Sequence, residues 1–290
     1  MVASGSDGRG RAIGLALVGA VAMACAAGGC GTGDDAEPPT PGVRRIVSLS
    51  RAGSVSCNGQ PPDNFSFSEG TVYAELRKAL LDPANFGPTG VVPVTFVLRP
   101  TIDHVLPRAL GRADVLVVNN PSAVIDETAL GTIADFVAGG GSVISLGDDA
   151  ATFMAKKGEC VADPEAKLEV KIAGDQSASP SVSAILTSIL SGPFGAVTGP
   201  VNTGYNCAYV EISPGVTVLA QNEKGPNALV LDAAPADHRA GRAVAFGDDE
   251  IFSSVTTPMC GSGKLTPGSA NEKLALNTFA FLALARPGTE

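Results

Sequence analysis

Two acidic clusters stand directly behind apolar runs: Asp148-Asp149 after Ser142 to Leu146, and Asp248-Asp249-Glu250 after Arg242 to Phe246, each separated from its run by a single Gly. If both runs are parallel strands of one sheet, these carboxylates share an edge with Asn119, Asn120 and Ser50. Ligands of open α/β sheets bind at that edge. Such oxygen donors suit a hard cation, Ca²⁺ or Mg²⁺, or a polar ligand. An Asp oxygen also accepts hydrogen bonds from the free backbone N–H groups of a following helix or turn. Capping is therefore the preferred reading of both clusters, a metal or polar-ligand site the alternative, and acid/base catalysis by Asp148, Asp149 or Asp248 the third.

The other chemical signals are weaker. Gly158-Glu159-Cys160-Val161-Ala162 matches G-x-C-x-A, yet a nucleophile elbow joins a buried strand to a helix, and this stretch is expected to follow a helix and to precede Asp163-Pro164. A disulfide is the expected role of Cys160. Gly261-Ser262-Gly263-Lys264 lacks the first glycine of a phosphate loop, since position 258 is Pro, so a surface loop is expected. Gly139-Gly140-Gly141 precedes a strand instead of following one and reads as a helix terminator. His104 and His238 are the chain's only histidines and read as surface loop residues.

The elements that carry these residues alternate. Strands are expected at Arg45 to Ser50, Val91 to Leu98, Val115 to Val118, Ser142 to Leu146 and Arg242 to Phe246, with Pro93 placing the second at a sheet edge. Between them, helical spacing runs through Val72, Leu76 and Leu80. It recurs through Ala129, Leu130, Ile133, Phe136 and Val137, opened by the acidic Asp126 and Glu127. A short helix is expected after Gly147-Asp148-Asp149, running to Lys157. Residues from about 160 to 240 are less regular, with one helix at Ser181 to Leu190 and short strands at Ala208 to Ile212, Val216 to Ala220 and Ala228 to Leu231. They read as an antiparallel insertion. The last helix opens with Ser269 and Glu272 in capping-box spacing and is apolar nearly all round, so it is expected to lie deep against the sheet. The alternation predicts an α/β fold with right-handed parallel crossovers.

The N-terminus supplies an address. Arg9 and Arg11 precede an apolar run from Ala12 to Ala24, too short and Gly-rich for a membrane span, and small residues follow before Cys25 and Cys30. This is a secretory signal, and Ala27-Gly28-Gly29-Cys30 resembles the lipobox of bacterial lipoproteins, in which that Cys carries lipid. Cys30 is the expected lipid site and Cys25 its rival. The resulting organisation is a signal peptide at 1–29, a disordered tether at 30–42 whose composition buries too little apolar area to fold, and one domain at 43–290. Loss of Asp7, Arg9 and Arg11 takes the formal charge from −9 to −10. A body so acidic, with a sequence pI near 4.8, is not a nucleic-acid binder, because phosphate affinity comes from clustered Lys and Arg. Outside the cytoplasm Cys57, Cys160, Cys207 and Cys260 are expected in two disulfides. Three pairings are open, and the preferred one joins Cys57 to Cys260, on loops placed at one sheet edge, and Cys160 to Cys207.

The segment Asp114-Val115-Leu116-Val117, the helix ending Phe136-Val137 before Gly139-Gly140-Gly141, and the strand ending in Gly147 resemble the class I glutamine amidotransferase-like superfamily, in the branch similar to gliding-motility and intraflagellar-transport domains. Gly241-Arg242-Ala243-Val244, Gly247-Asp248 and the Asn271 and Asn277 of the last helix extend the likeness, as does Tyr73-Ala74-Glu75-Leu76. The resemblance implies a flavodoxin-like, mostly parallel sheet with helices on both faces. It also implies a place for a nucleophilic Cys at a strand-to-helix elbow, with His and Glu beside it. That place reads Gly147-Asp148-Asp149-Ala150, and neither His stands in the family's H-x-E spacing. The expectation is a non-catalytic envelope protein, lipid-anchored and facing the periplasm or cell surface. It binds an envelope partner or a small polar ligand and needs no cofactor. The rival is a metal-dependent hydrolase built on the carboxylates of the sheet edge.

Overall fold

The computed structural model describes residues 40–49, 66–119, 125–147, 152–163, 165, 167–170, 180–232, 241–254, 256–257, 261–262 and 264–284. The signal segment with Cys25 and Cys30, most of the tether, Ser50, Cys57, Asn120, Asp148, Asp149, His238 and Cys260 lie outside the described residues.

The first half of the chain builds seven elements, strand and helix in turn. β1 (Val43–Leu49) leads through α1 (Ala74–Leu81) to β2 (Thr95–Leu98), and α2 (Pro107–Leu110) leads to β3 (Val115–Asn119). α3 (Glu127–Ala138) then leads to β4 (Ser142–Leu146). β3 and β4 are buried at every position, as central parallel strands covered on both faces are. Asp126 starts α3 by accepting from the Ala129 N–H at 2.8 Å, and Ala129, Ile133 and Val137 are its buried face.

The middle of the chain supplies β5 (Lys156–Ala162), β6 (Lys167–Val170), α4 (Pro180–Leu190), β7 (Val201–Asn202), β8 (Tyr205–Val210), β9 (Thr217–Asn222) and β10 (Gly225–Asp232). β11 (Arg242–Phe246), a 3-10 turn at Glu250–Phe252, the short pair β12 (Thr256–Thr257) and β13 (Gly261–Ser262), and α5 (Ala270–Ala283) complete it. Nine strands form one sheet in the order β2-β1-β3-β4-β11-β10-β9-β6-β7. β2, β1, β3, β4 and β11 run parallel, in the 2-1-3-4-5 order of flavodoxin-like folds, and the remaining four continue the sheet antiparallel. One face packs on α1, α4 and α5, and the other on α2 and α3.

Two expectations are corrected. No helix runs up to Lys157: the Thr152 hydroxyl accepts from the Met154 and Ala155 N–H groups, drawing them from a helical ladder into a tight turn, and the chain enters β5. The strand expected over Val91 to Leu98 is ordered as strand only from Thr95, beyond Pro93, although it does lie at the edge and pairs with β1 alone.

α5 is buried along nearly its whole length, with Leu274, Phe279 and Leu282 each contributing about 1.5–3 kcal/mol. Ser269 accepts from the Glu272 N–H at 3.1 Å, and the Glu272 carboxylate reaches back to the Gly268 N–H at 2.6 Å. Its other end is closed from outside the helix. The carbonyls of Phe281, Leu282 and Ala283 accept from Arg242, Ser142 and Arg44 at 2.7, 2.9 and 2.8 Å. Residues at the starts of three strands thus satisfy free carbonyls of the last helical turn. Beside them, Arg45 pairs with Asp114 at 2.9 Å and Arg242 with Asp232 at 3.3 Å, both pairs buried. Burial pushes the Arg242 guanidinium below its ordinary pKa, and the Asp232 carboxylate opposes that shift.

Candidate functional site

The β1 to β2 connection crosses one face of the sheet and the β2 to β3 connection the other, so the carboxyl ends of β1 and β3 form the topological switch point of the sheet, the place where open α/β sheets bind ligands. Four hydroxyls gather on this side. Ser48 Oγ lies 2.7 Å from Ser68 Oγ and 3.2 Å from Thr101 Oγ1, and Ser66 Oγ lies 3.4 Å from Thr101 Oγ1. On the β3 side the buried Tyr73 hydroxyl lies 2.9 Å from Asn119 Oδ1 and 2.7 Å from the Asp249 carbonyl oxygen, with one proton to serve either acceptor. A neutral set of donors and acceptors therefore lines the switch point.

The next two strands end differently. Lys157, reaching in from β5, donates to the Gly147 carbonyl at 2.9 Å and to the Gly247 carbonyl at 2.8 Å, closing the ends of β4 and β11. Its ammonium stands 4.6 Å from the centre of the Tyr209 ring. Gly247 leaves room for Asn227 and Lys157, because a Cβ there would sit 2.8 Å from the Asn227 amide nitrogen and 3.0 Å from Lys157 Nζ and force those side chains to shift. Asn227 Oδ1 and Asn206 Oδ1 are buried without hydrogen-bond partners.

Asp248 is fully buried. One carboxylate oxygen accepts from the Gly204 and Tyr205 N–H groups and the other from the Glu250 N–H at 2.8 Å. Asp248 is thus a backbone anchor, tying the turn after β11 to the start of β8, while Asp249 lends its carbonyl to Tyr73. Asn119 and Asp249 are joined through Tyr73, and Asp248 faces away toward Gly204. Among the described residues no group of three or more His, Cys, Asp and Glu is placed to hold a metal ion. Cys160 and Cys207 are bonded to each other, so neither offers a thiolate. His104 is exposed beside α2.

Sequence reading did not single out Ser48, Ser66, Ser68, Tyr73, Thr101 or Lys157 as site residues. The hydroxyls come from three separate stretches of chain, and no local spacing links them. Lys157 carried a signal only in retrospect, as a cation whose strand neighbour, Cys160, is disulfide-bonded. A separate cleft of about 370 Å³ lies between α2 and α3, lined by Pro107, Leu110, Thr132, Asp135 and Phe136.

Among solved structures, the N-terminal domain of mmIFT52 superposes with a TM-score of 0.52 at 9% identity, covering 83% of this chain and 97% of that domain. The chain shares that domain's fold. The sequence resemblance pointed to the same intraflagellar-transport relatives, and at this identity the likeness extends to fold alone. A cytoplasmic protein from Salmonella typhimurium matches at 13% identity with a TM-score of 0.47, covering 83% of this chain and 98% of its own. A protein described as ThuA-like, from Bacteroides uniformis, matches at 10% identity and a TM-score of 0.47, covering 84% and 92%. No family model matches the chain, and no curated protein matches it.

Proposed function

We propose that this chain is a lipid-anchored protein of the bacterial cell envelope whose amidotransferase-like domain is non-catalytic and binds an envelope partner or a small polar ligand at the carboxyl edge of its sheet. One observation carries the reading: the switch point between β1 and β3 carries Ser48, Ser68, Thr101, Tyr73 and Asn119, which are neutral groups able to donate and accept. Such a lining orients a polar ligand by hydrogen bonds and supplies neither a strong base nor a nucleophile. The export signal and the Ala27-Gly28-Gly29-Cys30 sequence support the anchor. The rival hydrolase reading loses Asp248, whose two oxygens are committed to backbone N–H groups, and keeps Asp148 and Asp149.

Two measurements test this. The intact mass of the protein from its native membrane is expected to equal the chain from Cys30 onward plus acyl groups. A mass without acyl groups contradicts the anchor. Capture from envelope extract is expected to retain a component that a Ser68→Ala/Tyr73→Phe double variant loses. A Mg²⁺-dependent hydrolysis abolished by Asp148→Ala favours the rival.

A further inference from the structure

The middle of the chain lays a two-stranded ribbon, β5 with β8, beside the carboxyl edge, and the two strands are anchored unequally. β8 is seated firmly: the Cys207 carbonyl accepts from the Asn222 side chain at 2.7 Å and from the Asn227 side chain at 2.8 Å, so β9 and β10 both hold it. β5 pairs with β8 alone among the described strands, and its ladder slips between Lys157 and Cys160. Lys156, Glu159 and Val161 point to solvent, and the surface ion pairs of Lys156 with Glu211 and Lys224 with Glu159 add little. A strand that buries so little apolar surface belongs to the part of a fold that opens first. Only the Cys160–Cys207 bond fastens its outer half covalently, in register with its partner residue. Three residues before that bond, the same strand delivers the Lys157 ammonium to the ends of β4 and β11.

We propose that the Cys160–Cys207 disulfide is a redox clasp holding Lys157 across the carboxyl edge, and that its reduction by a dithiol releases β5 and uncovers the ends of β4 and β11. The accessible sulfur is that of Cys160, which is half-buried, whereas Cys207 is fully buried. A reductant thiolate attacks Cys160 Sγ, the S–S bond breaks, and Cys207 leaves as a thiolate that takes up a proton. The reductant's second thiol loses its proton and closes on the mixed disulfide, freeing the Cys160 thiol and leaving the reductant as its own disulfide. β8 stays on its asparagines, and β5, with Lys157, comes away. The functional meaning rests on the carboxyl edge being the binding edge, since the clasp would then set how much of that edge a ligand reaches.

The test needs no ligand, so it stands or falls apart from the binding reading. Lysine acetylation of the full-length protein is followed by mass spectrometry with and without dithiothreitol. Lys157 is expected to react about ten-fold faster once the bond is cut, while Lys78, whose side chain is 79% exposed, keeps its rate. A Cys160→Ser/Cys207→Ser variant is expected to show the fast rate without reductant, which separates this bond from any other the reductant cuts. Lys157 reacting at an unchanged rate with both thiols shown free overturns the proposal. So does a Lys157 rate that rises only together with loss of the folded domain's circular dichroism, because Lys157 is then uncovered by global unfolding and not by release of β5. Should the variant fail to fold, the dithiothreitol arm on the native chain decides alone.

Discussion

The two edges of the sheet are built on opposite plans. At the amino edge polar and charged side chains serve closure: Arg44, Ser142 and Arg242 cap the last carbonyls of α5, and Arg45 and Arg242 face buried carboxylates. At the carboxyl edge the charged side chains that close strand ends are Lys157 and Asp248, and between β1 and β3 the lining is a set of neutral hydroxyls and an amide. The difference teaches where a ligand can act. Groups held by charge and buried against a helix end have no freedom to exchange partners, whereas hydroxyls bonded to one another can turn toward an incoming molecule.

The comparison breaks most visibly at Arg242. Arg242→Met leaves Asp232 buried without its cation and is expected to cost about 3–5 kcal/mol, read from the urea midpoint. The Asp232→Leu/Arg242→Met pair is expected to recover most of that loss. Removing the Cys160–Cys207 bond, whose ends are separated by 47 positions in the chain, is expected to cost about 2–4 kcal/mol in the same measurement. Asp248→Asn weakens three bonds from backbone N–H groups to a charged acceptor and is expected to cost about 2 kcal/mol. The wild-type Tm is expected not to move with added Mg²⁺ or Ca²⁺. A cation-dependent rise that Asp248→Asn abolishes shows instead that this carboxylate binds metal. The smallest effect belongs to the switch point itself: Ser48→Ala is expected to cost about 1 kcal/mol of stability, and its larger consequence is on ligand capture.

The fold was legible where one local rule decides. β3 carries the unbroken apolar run Val115 to Val118, β4 and β11 are mostly apolar, and α3 and α5 start at the capping residues Asp126 and Ser269. The cap reading of Asp248 was legible too, because an Asp after a strand and before a turn has free N–H groups within reach. What stayed hidden depends on register and side-chain competition. The Thr152 hydroxyl turns an expected helix into a turn, and the meeting of Ser48 with Thr101 requires β1 and β2 to be aligned in space. Nor does spacing announce that Lys157 spans the ends of β4 and β11, which lie far apart in the chain.

The most direct test of the unequal edges is an amide NMR titration of the domain with a panel of monosaccharides, dicarboxylates and small amines. Shifts are expected to gather at Ser48, Ser68, Thr101 and Asn119 and to leave Arg45, Asp114 and Arg242 unmoved. Shifts centred on the amino edge, or on the α2–α3 cleft around Asp135, contradict the account.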